Sequence, residues 1–131
     1  MKLPEGSVDL GSMPFGSHLY GTDTPKSDRD FKGVFLPSPR DVLTGNIPRV
    51  ISSSTGPKSS KNRPGDVDVE YFSLHYFLKL ACEGQTVAID MLHAPLRSIL
   101  QPSQEWVYLH QHRKEFCTRH LQAFMGYCRR Q

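Results

Sequence analysis

Two aspartates separated by one residue are the side chains with the clearest capacity for chemistry. Asp28 and Asp30 come directly before an apolar run, Phe31 to Leu36, that predicts a strand. Alternate residues of a strand point to the same face, so the two carboxylates are predicted to lie side by side. Neighbouring carboxylates repel each other unless a cation lies between them. Hard oxygen ligands suit Mg²⁺, and the pair therefore predicts a magnesium site.

A second acidic segment follows later in the chain. Residues 67–72 alternate acidic and apolar side chains, the period of a strand with one wet face, and Asp68 and Glu70 share that face. A third carboxylate on a neighbouring strand would complete a two-metal site for phosphoryl or nucleotidyl transfer. Asp68 has the shorter side chain, whereas Glu70 lies deeper in the strand and could span a longer gap. Both therefore stay candidates for the third ligand.

A glycine and a serine precede the aspartate pair. Gly16 and Ser17 are predicted to open a short helix after an extended segment that ends at Phe15. Glycine lets a ligand approach the backbone, and the serine hydroxyl and free amides of a helix start can hold phosphate oxygens. A Gly-Ser pair alone is usually a turn, and an isolated Asp-x-Asp is usually a solvated strand end. Their occurrence together, with an apolar strand directly after, favours a phosphate and metal site.

The elements that must position these groups can be outlined from local patterns. Residues 38–65 are rich in Pro, Ser, Gly and Lys/Arg, which predicts a mobile loop without secondary structure. Ser73 is placed to cap a helix that runs through Glu83. The run Val87 to Leu92 is too short to assign, and residues 103–131 form a helical tail that begins at a Ser103 cap. Strands on both sides of the loop, followed by helices, predict an α/β or α+β fold.

Size and composition narrow the class of protein. The chain has 131 residues and a net charge of +3, and we expect it to form a single domain, 1–131. No apolar stretch approaches the roughly 20 residues that span a bilayer, and the first residues lack the apolar core of a secretory signal. Three cysteines without CxxC spacing argue against disulfides and zinc. These features favour a soluble protein of a reducing compartment, the cytoplasm.

The run from Gly16 to Phe35 resembles the nucleotidyltransferase superfamily of DNA polymerase β type. The residues that carry the likeness are Gly16-Ser17, Tyr20-Gly21, Pro25, Ser27-Asp28-Arg29-Asp30 and Gly33-Val34-Phe35, followed by Asp68 to Leu74, Phe77-Leu78 and Gly84 to Leu92. In particular the chain is similar to predicted nucleotidyltransferases grouped with RNA repair in bacteria and phages.

The resemblance implies a small mixed sheet flanked by helices that binds an NTP, such as ATP, and two Mg²⁺ ions, which Mn²⁺ could replace. The implied nucleotide contacts are Gly16, Ser17, Tyr20, Gly21 and Ser27, and the implied catalytic and metal-binding carboxylates are Asp28, Asp30 and either Asp68 or Glu70. The implied reaction transfers NMP from an NTP to an acceptor hydroxyl, with an RNA or tRNA end favoured.

A second hypothesis belongs to another class of protein. The domain could be a non-catalytic, antitoxin-like module that uses the same fold to occlude a partner. The Asp28 and Asp30 pair argues against it, because two adjacent acids without a metal would cost stability. Asp90 is the next acid to consider as a ligand, although a structural acid is the better interpretation.

Overall fold

A computed structural model of the chain describes residues 1–56, 65–118, 125–126 and 128–129. The strands in these residues are β1 Val8–Phe15, β2 Arg29–Leu36, β3 Val50–Ser54 and β4 Val67–Ser73. The helices are α1 Ser17–Tyr20, α2 Pro39–Thr44, α3 Leu74–Cys82, α4 Thr86–His93 and α5 Gln104–Gln111, with 3₁₀ turns at Leu96–Ser98 and Arg113–Phe116.

The strands form one mixed sheet in the order β1-β2-β4-β3. β2 and β4 are parallel neighbours, and β1 and β3 pair with them antiparallel at the two edges. The small mixed sheet flanked by helices that the sequence predicted is therefore confirmed. The two acidic segments occupy its central, parallel pair of strands.

The strand register arranges one face of the sheet in successive rows, since directly paired residues point to the same side. The row nearest the start of β2 and β4 contains Phe15, Asp30, Asp68 and Ser54. The next row contains Met13, Lys32, Glu70 and Ser52. The third contains Gly11, Val34, Phe72 and Val50. Along the strands, this face thus changes from a row with two acids, through a row with the Lys32–Glu70 ion pair, to an apolar row.

Helices cover the apolar end of that face. The core comprises Leu10, Met13, Val34, Phe72, Phe77, Ala81, Ala88, Met91, Leu92, Ala94, Ile99 and Trp106. Trp106 of α5 is fully buried, and its ring centroid lies 5.5 Å from that of Phe77 in α3. α5 is therefore fixed to the domain by an aromatic contact in the core. None of the helices that the structure describes is long and apolar enough to cross a membrane.

Of the two serines predicted to cap helices, Ser103 does so and Ser73 does not. Ser103 begins α5 as expected, and its hydroxyl accepts the Trp106 amide at 3.2 Å. Ser73 occupies the residue before α3, but its hydroxyl makes no capping bond. It is fully buried and donates instead to the Arg49 carbonyl oxygen at 3.3 Å. Because that bond joins the end of β4 to the residue before β3, Ser73 stabilises the sheet rather than the helix.

The prediction of a structureless loop over 38–65 is wrong for its first part, which contains α2 and β3. Ser38 caps α2 by accepting the Asp41 amide at 3.1 Å, and Pro39 occupies the helix start, where its missing N–H costs nothing. β3 is stabilised by backbone pairing with β4, which composition alone does not reveal. Residues 57–64 lie outside the described residues, as does most of the predicted tail beyond Thr118. The unassigned run Val87 to Leu92 lies in helix α4.

Candidate metal-binding active site

Three aspartates meet at the start of the two central strands. Asp30 and Asp68 are direct partners in the parallel β2–β4 pair, and Asp28 lies just before β2. Each contributes one carboxylate oxygen to a group in which all the oxygens lie within 4.8 Å of one another. All three residues are half-buried. The pairing of β2 with β4 is what brings together acids that are 38 or more residues apart in the sequence.

The electrostatics of this cluster favour a cation. Partial burial raises the pKa of Asp30, and the neighbouring charges of Asp28 and Asp68 raise it further. A raised pKa means that the third negative charge is poorly tolerated in the protein without metal. Three carboxylates at this spacing are also the hard oxygen donors that Mg²⁺ or Mn²⁺ takes. The residues present therefore fit the divalent cation that the sequence predicted.

Glu70, the other candidate for the third ligand, lies one row away from this cluster. It forms an ion pair with Lys32, its direct partner on β2. The Lys32 ammonium also lies 5.2 Å from the ring centroid of Phe15 and 5.6 Å from that of Phe72. The structure thus brings Asp68, and not Glu70, to the side of Asp28 and Asp30.

The predicted phosphate-binding turn borders the cluster. Gly16 has φ +60°, and a Cβ added to it would lie 3.0 Å from Oδ2 of Asp30. Both facts require glycine at this position. α1 begins at Ser17, and the next residue, His18, places Nε2 at 3.0 Å from the Asp28 carbonyl oxygen. The turn and the aspartate pair are consequently held together by a side-chain hydrogen bond.

The remaining predicted nucleotide contacts shape the segment between Ser17 and Asp28. The Tyr20 hydroxyl donates to Oδ2 of Asp90 in α4 at 2.7 Å. Gly21 ends α1 in the left-handed conformation, and the Ser27 hydroxyl accepts the Thr24 amide at 3.0 Å. Asp90, the reserve candidate for a ligand, therefore bonds with Tyr20 and is not part of the aspartate cluster.

A cleft of about 530 Å³ opens beside the cluster. It is lined by Asp30, Phe31, Lys32, Ser52, Ser53, Ser54, Asp68, Val69 and Glu70. Sequence analysis missed Lys32 and the three serines as site residues. Lys32 could have been found, because it follows Asp30 by two residues and so shares its face of the strand. The serines could not, since their segment was interpreted as loop and only the β3–β4 pairing brings them to the cleft.

Comparison with known proteins identifies the family of the chain. A small mixed sheet with carboxylates on two adjacent strands, beside a Gly-Ser turn, is the arrangement of a polymerase β-type nucleotidyltransferase. The model of the RNA repair pathway DNA polymerase beta family, RlaP, matches residues 12–131. The chain therefore belongs to this family of polymerase β-type nucleotidyltransferases.

A relative comes from Enterobacteria phage T4, where it is described as an uncharacterized 38.9 kDa protein in the nrdC-mobD intergenic region. The two proteins are 44% identical over 119 residues, which cover 89% of this chain and 35% of the phage protein. The chain thus spans about a third of the length of that relative. No solved structure matches the chain.

Proposed function

We propose that this domain catalyses the divalent-metal-dependent transfer of NMP from an NTP to an acceptor hydroxyl. The acceptor hydroxyl loses its proton to solvent and its oxygen forms a bond to the α-phosphorus. The bond between that phosphorus and the oxygen that bridges to the β-phosphate breaks, and pyrophosphate leaves. The observation that carries the proposal is the convergence of Asp28, Asp30 and Asp68 in a chain of a nucleotidyltransferase family.

Each part of the site has a role in this reaction. Asp28 and Asp30 would hold two Mg²⁺ or Mn²⁺ ions, and Asp68 would hold one of them on the side of the acceptor. Bound there, the metal would supply charge neutralisation and would lower the pKa of the acceptor hydroxyl. Gly16 borders Asp30, and together with Ser17 it would receive the β- and γ-phosphates. Tyr20, Gly21 and Ser27, on α1 and the segment between it and Asp28, would border the bound nucleotide.

We favour an RNA or tRNA end as the acceptor, because the description of the matched family places it in RNA repair. The cleft on the Asp68 side includes Ser52 and Ser54, which share the face of Glu70 and Asp68, and their hydroxyls offer hydrogen bonds for a polar acceptor. We place the reaction in the cytoplasm: the cysteines in the described residues, Cys82, Cys117 and Cys128, are free and exposed, which fits a reducing compartment.

The test is label transfer. The protein is incubated with each α-labelled NTP, Mg²⁺ or Mn²⁺, and total RNA, tRNA or a protein extract, and the labelled product is identified. We expect label on RNA with wild type and a loss of about three orders of magnitude in Asp68→Asn. Glu83→Gln is the matched control, since this acid lies on the exposed end of α3 and pairs with Lys79 at 3.8 Å.

Two results would contradict the proposal. Equal rates in wild type and Asp68→Asn would exclude the cluster from the chemistry. Wild-type protein that binds metal yet transfers no label from any NTP to any acceptor would favour the antitoxin-like module instead.

A further inference from the structure

The Lys32 ammonium lies beside a site that is proposed to take cations. Lys32 follows Asp30 by two residues on β2, so the two side chains share a face about 6.5 to 7 Å apart along the strand. Its Nζ is held by three groups: the Glu70 carboxylate in the ion pair, and the rings of Phe15 and Phe72 at 5.2 and 5.6 Å. All three lie in, or next to, its own row of the sheet.

The Lys32 ammonium can compete with a metal ion for the aspartate carboxylates. Its side chain is a flexible four-carbon stem with a compact charge, long enough to reach a carboxylate one row away. Without Glu70, the ammonium would be attracted by the negative charges of Asp30 and Asp68 in the neighbouring row. An ammonium bound there would compete with a divalent ion.

We propose that Glu70 is a positioning residue that holds Lys32 away from the three aspartates and so limits competition between its ammonium and a divalent cation. The proposal rests on the proposed function, because it assigns the cation site to Asp28, Asp30 and Asp68. Glu70 acts on the metal through Lys32 and not as a ligand.

Two simpler roles for Glu70 make different predictions in a double-mutant cycle. As a metal ligand, or as one more negative charge near the ion, Glu70 would contribute to metal affinity whether or not Lys32 is present. As a restraint on Lys32, it would contribute only while Lys32 is present. The coupling between the two substitutions therefore separates restraint from ligation and from bulk charge.

The experiment measures Mn²⁺ binding directly, from the free-Mn²⁺ paramagnetic resonance signal, in wild type, Glu70→Gln, Lys32→Met and the double variant. Methionine keeps the length of the lysine stem and its packing on Phe15 and Phe72. We expect Glu70→Gln to weaken Mn²⁺ binding about tenfold in the wild-type background and less than about twofold in the Lys32→Met background. Glu83→Gln controls for loss of a lysine-paired acid elsewhere.

Equal losses on Glu70→Gln in both backgrounds would overturn the proposal, as would no loss in either. Asp30→Asn and Asp68→Asn separate this failure from a failure of the proposed function. If these two variants bind Mn²⁺ as tightly as wild type, the cation site itself is wrongly assigned. If they lose binding while the cycle shows no coupling, the site stands and only the role of Glu70 is wrong.

Discussion

The two ends of the central strands β2 and β4 differ in what surrounds them. From their first residues to Lys32 and Glu70 the strands are partly exposed and carry four charged side chains on one face. From Gly33 to Phe35 and from Tyr71 to Ser73 the two strands are buried, and Val34, Phe35 and Phe72 lie in the interior. The change occurs at the same paired position in both strands.

This difference separates the proposed site from the stabilising core along a single pair of strands. The exposed ends present a cluster of like charges that is unfavourable without a cation, and the buried ends supply the apolar packing that offsets it. Strands anchored in the core hold Asp30 and Asp68 in register without help from a ligand. Substitutions at the exposed ends should therefore lower activity without lowering stability. Substitutions at the buried ends should lower stability without lowering metal affinity.

The largest effect is expected at the exposed end. Asp30→Asn and Asp28→Asn should each lower the rate of nucleotidyl transfer by about three orders of magnitude or more, because each removes a metal ligand. The melting temperature measured in EDTA should stay unchanged or rise, since a repulsive charge is removed. Near-native transfer in both variants would contradict the division between the two ends.

At the buried end of the strands, we expect a loss of stability without a loss of metal affinity. Phe35 is fully buried, and Phe35→Ala should lower the free energy of unfolding by about 3 to 5 kcal/mol, measured by urea denaturation. The folded fraction should bind Mn²⁺ with nearly the affinity of wild type, because no side chain of the aspartate cluster is altered. A large loss of Mn²⁺ affinity in the folded protein would show that the two ends are coupled.

A smaller loss of stability is expected on substitution of Gly33, where β2 changes from partly exposed to buried. A Cβ on Gly33 would lie 2.5 Å from the Tyr71 ring, and the Tyr71 hydroxyl is held by Oδ2 of Asp9 at 2.9 Å. Gly33→Ala should therefore destabilise the protein by about 1 to 3 kcal/mol. In a Tyr71→Val background, which removes the ring, the same substitution should cost much less. An equal loss of stability in both backgrounds would show that the strain does not come from contact with the Tyr71 ring.

The smallest effect concerns pH in the metal-free protein. Burial, and then Asp28 and Asp68, raise the pKa of Asp30, so the folded state binds its proton more tightly than the unfolded state. The resulting penalty is absent below the ordinary aspartate pKa and fully present above the raised one. The melting temperature of Asp30→Asn relative to wild type, in EDTA, should therefore increase as pH rises through that interval. A constant difference from pH 3 to pH 7 would argue against charge repulsion.

Local sequence patterns were sufficient to predict the two acidic strands, β2 and β4, and the helix α3 that follows β4. The alternation around Asp68 and Glu70, and the apolar run after Asp30, each report a period that depends on neighbouring residues alone. The mixed sheet flanked by helices also followed from the resemblance of the motifs. The sequence could not choose between Asp68 and Glu70, because that choice depends on the register of β2 against β4, which is fixed by contacts distant in the chain.

The missed elements have the same cause. β3 is short, polar at three of its five residues and located at a sheet edge, so its own sequence gives little sign of a strand. Its pairing with β4 overrides the composition that favoured a loop. Ser73 was misinterpreted for a related reason, since its partner, the Arg49 carbonyl, lies 24 residues away. Lys32 could have been found from the sequence, but its ion pair with Glu70 again depends on register.

The most direct test of the account is a crystal structure of the protein grown with Mn²⁺ and a non-hydrolysable NTP analogue, with the metal located by its anomalous scattering. The account predicts Mn²⁺ bound to the carboxylates of Asp28, Asp30 and Asp68, with Glu70 still paired with Lys32. Mn²⁺ ligated by Glu70, or bound away from these three aspartates, would contradict it.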